Sequence, residues 1–197
     1  MNTPAPGPTP LLWCWRHPKA RGAAGRCIGQ TDLPVDLRKA KRLAHRIRRC
    51  AREQRLPHEV WVSPLARSRE VGRWLSRWGW NVRLDARLLE VGFGRWDGQR
   101  WGDIPAVEVG AWADELLTYR PGGGESVAML LLRVHAFAAE AQAAGAGTSM
   151  PRLLVGHAGW MNALLHVPPD SVTLPASNWP PAPPHGALRR WGVGRGA

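Results

Sequence analysis

LLWCWRHP, residues 11–18, decides how the rest of the chain is read. Leu11 to Trp15 is an unbroken apolar run of the kind found in a strand buried on both faces. It stops abruptly at Arg16-His17-Pro18. Proline cannot donate to a ladder and pushes the residue before it away from helical backbone, so His17 is expected on a loop at the carboxyl end of a central strand. In open α/β sheets, ligands bind along that edge.

Downstream, Leu37, Ala40, Leu43, Ala44, Ile47 and Ala51 recur at helical spacing between Asp36 and about Leu56. With Asp36 as N-cap and arginines on the outer face, the pattern predicts an amphipathic helix. Glu59 to Val62 reads as a second buried strand. Ser63-Pro64 offers a capping serine followed by a proline at the first helical position. A helix with Arg67 in its first turn is therefore predicted to run to about Trp78 and stop at Gly79. Trp80 to Leu84 is a third short strand.

Leu88 to Gly98 is interrupted by glycine and has neither period, which marks it as an active-site loop. Ser126 to about Ala144 carries Val127, Leu130, Leu131, Val134, Phe137 and Ala138 on one face and is predicted to be a helix stopped by Gly145. Arg152 to Gly156 is another buried strand that ends at His157, and Gly159 to Leu165 starts the next helix. Residues 167–184 are crowded with proline and read as a loop before a last edge strand at Ala187 to Trp191. Strands alternating with helices predict a three-layer α/β sandwich with a mostly parallel central sheet. The expected organisation is a flexible Pro-rich tail (1–10), one domain (11–191) and a flexible C-terminus (192–197).

The chain has 197 residues, enough for one domain that buries about 70% of its unfolded surface. Hydrophobic residues make up 44% and twelve are Trp, so a packed interior needs no staples. Cys14, Cys27 and Cys50 are odd in number and lack metal-ligand spacing, which favours a reducing compartment, with the cytoplasm expected. MNTPAPGPTP at the start has no basic n-region and only five apolar residues follow before Arg16, so neither signal peptide nor membrane span is expected. The net charge of +12 attracts anions, but net charge speaks to association rather than to fold.

Four segments bring polar residues of complementary type to strand edges: Arg16-His17, Arg67, Glu90 and His157. Two arginines and two histidines around one pocket supply charge-assisted donors for the oxygens of a phosphoryl group, with no metal required. A neutral imidazole there can attack phosphorus when a backbone acceptor holds its other nitrogen, making His17 a phosphohistidine. Arg16, Arg67 and a protonated His157 would stabilise the transition state. Glu90, flanked by Val91 and Phe93, would protonate the leaving alkoxide. Asp85, Asp97 and Glu125 are alternatives for that acid.

These segments resemble those of the histidine phosphatase, or phosphoglycerate mutase-like, superfamily over most of residues 11–191. LLWCWRHP resembles its Arg-His-Gly signature, SPLARSRE its Ser-Pro-Leu-x-Arg helix start, and LLVGHAGWMNALL its second-histidine segment, in the expected order. The resemblance implies His17 as nucleophile, Arg16 and Arg67 as phosphate ligands, His157 as second pocket histidine and Glu90 as acid. GRCIGQTDLPV (25–35), LLEVGFGRWDGQRWGDI (88–104) and PGGGESVAMLLLRV (121–134) look most like the α-ribazole phosphatases. That branch implies α-ribazole 5'-phosphate, an ester handled late in cobalamin assembly, as substrate, with Gly29 and Gln30 near its variable part. Two departures stand out: Pro18 replaces the usual Gly, and the loop Asn has no counterpart in KARGAAG.

The expected partner is a small phosphorylated metabolite, with no cofactor, nucleic acid or membrane, and with oligomeric state left open. A broad-specificity phosphatase and a phosphoglycerate mutase are alternatives, although a mutase needs long insertions that shut out water. The rival from another class is a basic nucleic-acid-binding module using the arginine face of residues 38–55, which explains the charge but not the strand-edge residues. His45, His58, His135, His166 and His185 show no partner spacing and read as surface or core residues. Trp61, Trp74, Trp78 and Trp80 read as packing rather than a base-stacking platform. Gly122 to Gly124 precede no Lys-Ser or Lys-Thr and so read as a lead into a helix rather than a phosphate cradle.

Overall fold

Within the first strand, Leu12 and Cys14 enter one core while Trp13 and Trp15 enter another, the alternation of a strand with apolar cover on both faces. The computed structural model describes residues 11–144, 150–166 and 178–192. In chain order its elements are β1 (Leu11–Arg16), α1 (Leu37–Glu53), β2 (Glu59–Val62), α2 (Ala66–Ser76), β3 (Asn81–Leu84), α3 (Ala106–Asp114), α4 (Val127–Ala144), β4 (Arg152–Gly156), α5 (Ala158–Ala163) and β5 (Leu188–Gly192). The expected tail at 1–10, the glycine stop at 145, residues 167–177 of the proline-rich loop and 193–197 lie outside the described residues.

The sheet has five strands in the order β3-β2-β4-β1-β5. Every neighbouring pair is parallel except β1 and β5. Leu43, Ile47, Val71 and Leu75 of α1 and α2 pack with Trp13, Trp15, Val60 and Val62 on one face. On the other, Leu130, Val134 and Phe137 of α4 and Trp160 of α5 pack with Leu12, Cys14 and Leu154. The fold is therefore the expected three-layer α/β sandwich, and apolar burial of this kind contributes about 25 cal/mol per Å². α4 is long and apolar enough to cross a membrane by length and composition, yet Leu130, Leu131, Val134 and Phe137 are buried in this core.

Asp36 caps α1 as expected, accepting from the N–H groups of Arg38 at 2.8 Å and Lys39 at 3.3 Å. The start of α2 is different. Ser63 does not cap it: the helix opens at Ala66, whose N–H donates to the Asp32 carboxylate 34 residues upstream. The Ser63 hydroxyl lies instead 2.7 Å from Nε2 of His157. α3 has no counterpart in the sequence reading, because none of its residues is buried and Val107 is 79% exposed, so it leaves no apolar stripe.

The loop from Leu89 to Gly98 is held by backbone packed directly on backbone. A Cβ on Gly124 would lie 2.2 Å from the Gly92 carbonyl oxygen, and one on Gly122 would lie 2.4 Å from that of Phe93. Gly122, at φ +58, also needs the left-handed region. Gly122 and Gly124 thus clamp the loop rather than cradle an anion.

Candidate active site

β1 and β4 are parallel neighbours, with Arg16 opposite Gly156, so the residues that follow them, His17 and His157, emerge side by side. Their ring centroids are 4.8 Å apart. Both histidines are buried, as is Arg67, whose side chain reaches in from the first turn of α2. Glu90 is 8% exposed and its carboxylate accepts from the N–H groups of Gly159 (3.2 Å) and Trp160 (3.3 Å) in α5. The structure brings together all five residues expected at the phosphate pocket.

Nδ1 of His17 lies 2.7 Å from the Pro18 carbonyl oxygen, which can only accept. The proton therefore sits on Nδ1 and Nε2 keeps its lone pair. Burial pushes the His17 imidazole well below its usual range; the guanidinium charges of Arg67 and Arg16 push the same way, against the Pro18 bond. His17 is thus a neutral base with an available nitrogen.

His157 departs from the expected imidazolium. Its Nδ1 accepts from Nε of Arg67 at 3.2 Å, so the ring proton lies on Nε2 and points to the Ser63 hydroxyl. Burial drives its pKa well down, reinforced by His17, Arg67, Arg133 and Arg16. His157 is therefore a neutral imidazole.

Arg67 spends three donors on the protein, to His157 and to the carbonyls of Thr31 (2.9 Å) and Gly29. Two of its five N–H groups remain for a ligand. One amino group of Arg16 donates to the Pro183 carbonyl, while its buried Nε has no partner. Burial lowers the pKa of both arginines, partly offset by Glu90, yet guanidinium stays charged. A buried and a half-buried guanidinium beside the one Glu90 carboxyl leave a surplus of positive charge, and an unpaired buried donor is costly until an anion fills it.

Gly29 and Gln30 pack against the loop that carries Glu90. A Cβ on Gly29 would lie 2.1 Å from the Val91 carbonyl oxygen, and the Gln30 amide donates to the Glu90 carbonyl at 3.0 Å. The competing acids are otherwise engaged: Asp85 with Arg87 at 2.6 Å, Glu125 with Arg133 at 2.6 Å, and Asp97 with the N–H groups of Gly29, Gln30 and Thr31 at 2.8–3.0 Å. The thiol of Cys27 is pushed up to about 12 by burial and by Asp97, and Cys14 is also pushed up by burial, so neither is a nucleophile.

One residue beside His17 carried no catalytic expectation. His185 is exposed, as a surface histidine is expected to be, yet its ring centroid lies 5.4 Å from that of His17. The other histidines stay outside the pocket: His45 packs on Trp78, His58 stacks on Trp80, and His166 stacks on Trp179. His135 bonds the His166 carbonyl. The signal for His185 was weak, a His-Gly pair just ahead of the last strand.

Fold and pocket together define an α/β enzyme of the phosphate-handling class, with paired histidines and paired arginines at the carboxyl edge of a parallel sheet. The chain belongs to the histidine phosphatase superfamily, branch 1, whose family model matches residues 12–172. A glucosyl-3-phosphoglycerate phosphatase of Mycobacterium tuberculosis is 32% identical over 172 residues, covering 77% of this chain and 75% of that protein. The solved structure of a mycobacterial glucosyl-3-phosphoglycerate phosphatase matches with a TM-score of 0.74 at 26% identity, over 92% of this chain and 89% of that one. The α-ribazole phosphatase from Shigella flexneri matches with a TM-score of 0.69 at 23% identity, over 91% and 89%, a likeness of fold.

Proposed function

We propose that the chain is a phosphomonoesterase that works without a metal ion and carries the phosphoryl group on His17. The observation that carries this reading is the His17 ring, anchored through Nδ1 to Pro18 with Nε2 left open among buried guanidinium groups. Nε2 attacks phosphorus, the bond from phosphorus to the ester oxygen breaks, and Glu90 gives its proton to the departing alkoxide. Water then attacks the phosphohistidine while Glu90 takes its proton, and inorganic phosphate leaves. Arg16 and Arg67 hold the equatorial oxygens through both steps. His157 donates its Nε2–H to the phosphoryl group once that N–H turns away from the Ser63 hydroxyl.

For the substrate, α-ribazole 5'-phosphate is the first choice. The three segments that resemble that branch meet at this site: Asp97 binds residues 29–31, and the Glu125 N–H donates to the Gly92 carbonyl at 2.6 Å. Glucosyl-3-phosphoglycerate is the second choice, favoured by the mycobacterial relatives. Phosphate release from both esters and from a wider panel, with chelator present and with His17→Ala as control, tests the proposal. Selective, His17-dependent release from one ester assigns the substrate, and release across the panel indicates broad specificity. No release from any ester, with no base-stable, acid-labile phosphoryl label on the protein, would overturn the phosphatase reading.

A further inference from the structure

A cavity of about 400 Å³ opens beside Glu90, lined by Val91, Phe93, Val109, Trp112, Leu116 and Trp179 among others. The wall is stiff. Phe93 meets Trp112 edge-on at 5.7 Å, and Trp112 is braced in turn by Trp96 at 5.9 Å and Trp101 at 6.3 Å. Aromatic side chains locked in this way offer apolar area with little ordering cost. Among the described lining residues the ionisable groups are the two acids Glu90 and Glu125, and Glu125 is already paired with Arg133. No Lys or Arg stands among those residues to receive a second anionic group.

A neighbouring cavity, lined by Gln30, Asp97, Arg120 and Arg133 together with Leu89 and Met129, is mixed in character and does not include Glu90. The acid has to touch the leaving oxygen, so the alcohol half of the ester must lie where Glu90 is. We propose that the apolar cavity beside Glu90 receives the alcohol half of the substrate and selects esters whose alcohol carries an aromatic or bulky apolar group and no second anion. The inference rests on the phosphatase reading above and narrows it. Phe93, Trp112 and Val109 are the residues that set the preference, and esters carrying a carboxylate are disfavoured by apolar walls that offer it no cation among the described residues.

The test compares kcat/KM for 2-phenylethyl phosphate and ethyl phosphate. Both leave as primary alkoxides, so their ratio reports what the ring gains from the cavity rather than leaving ability. The ratio is expected to be at least about tenfold in the native protein. It should fall toward one in Trp112→Ala and in Val109→Asp, both at half-buried positions of the wall. A ratio near one in the native protein, or a ratio unchanged in both variants, would overturn the pocket assignment while leaving the phosphatase intact. No turnover of 2-phenylethyl phosphate by a native protein that hydrolyses other esters would overturn the pocket assignment alone, and no turnover of any ester would remove the phosphatase reading and the pocket with it.

Discussion

His185 sits across the β1–β5 pair from His17, and its Nδ1 donates to the His17 carbonyl at 3.1 Å. The bond leaves Nε2 of His185 as a lone-pair nitrogen in a pocket where burial, Arg16, Lys19 and Arg67 all lower its proton affinity. A third imidazole therefore borders the phosphate site. It stands close to the turn where Pro18 removes a backbone donor.

Replacing His185 with Ala breaks the bond that holds the His17 backbone from the C-terminal side. The expected cost is about 1 kcal/mol of stability and a several-fold weaker inhibition by inorganic phosphate. His185→Asn, which can still donate to the carbonyl, should recover most of the stability but not the phosphate affinity. Titration of phosphate inhibition in both variants checks this. Native-like inhibition in His185→Ala would remove His185 from the site.

His17→Ala is expected to lose at least about 10³-fold in kcat, since no other nucleophile is placed to replace it. Glu90→Gln should lose about 10²- to 10⁴-fold on alkyl phosphates but much less on p-nitrophenyl phosphate, whose leaving group needs no proton. Steady-state kinetics on the two ester types separates the functions. Equal losses on both would show that Glu90 is not the acid.

Stability should depend on pH through the buried histidines. His17 and His157 hold pKa values well below the ordinary 6.5 in the folded chain. Between that depressed value and 6.5 the unfolded chain binds more protons, so stability is full above 6.5 and declines as pH falls. The urea midpoint is expected to drop from about pH 7 to pH 5. His157→Gln, which can still bond Arg67 and Ser63, should make the decline shallower. An unchanged slope in that variant would place the loss elsewhere.

Asp97 gathers the N–H groups of Gly29, Gln30 and Thr31 and the Thr31 hydroxyl, at 2.6–3.0 Å. Burial works against its charge, but these bonds outweigh it and the carboxyl stays below its usual range. Asp97→Ala is expected to cost about 1–3 kcal/mol and to raise KM, because Arg67 is braced on the carbonyls of Gly29 and Thr31. Thermal melting and KM measured together test this. A stable variant with unchanged KM would show that the loop holds its shape alone.

The strands and all but one of the longer helices were legible in the chain, because apolar period and run length are local properties. LLWCWRHP announced a buried strand with a histidine at its end, and RLLVGH announced a second one. Their adjacency followed once β1 and β4 paired in parallel. α3 was not legible, since a helix that buries nothing has no stripe to read.

What the sequence by itself determined was therefore the inventory: which segments become strands, and that Arg16, His17, Arg67, Glu90 and His157 stand at their ends or on the loop between them. Tertiary structure decided how each of those groups is held. The antiparallel pairing of β5 with β1 brought His185 to His17, 168 residues away along the chain. Packing turned Ser63 from an expected cap into the partner of His157, gave the cap of α2 to Asp32, and made His157 neutral by fixing which nitrogen accepts from Arg67. The physical reason is that hydrogen-bond partners distant in the chain are chosen by the burial of whole elements, and a donor's choice among acceptors leaves no trace in local period or propensity.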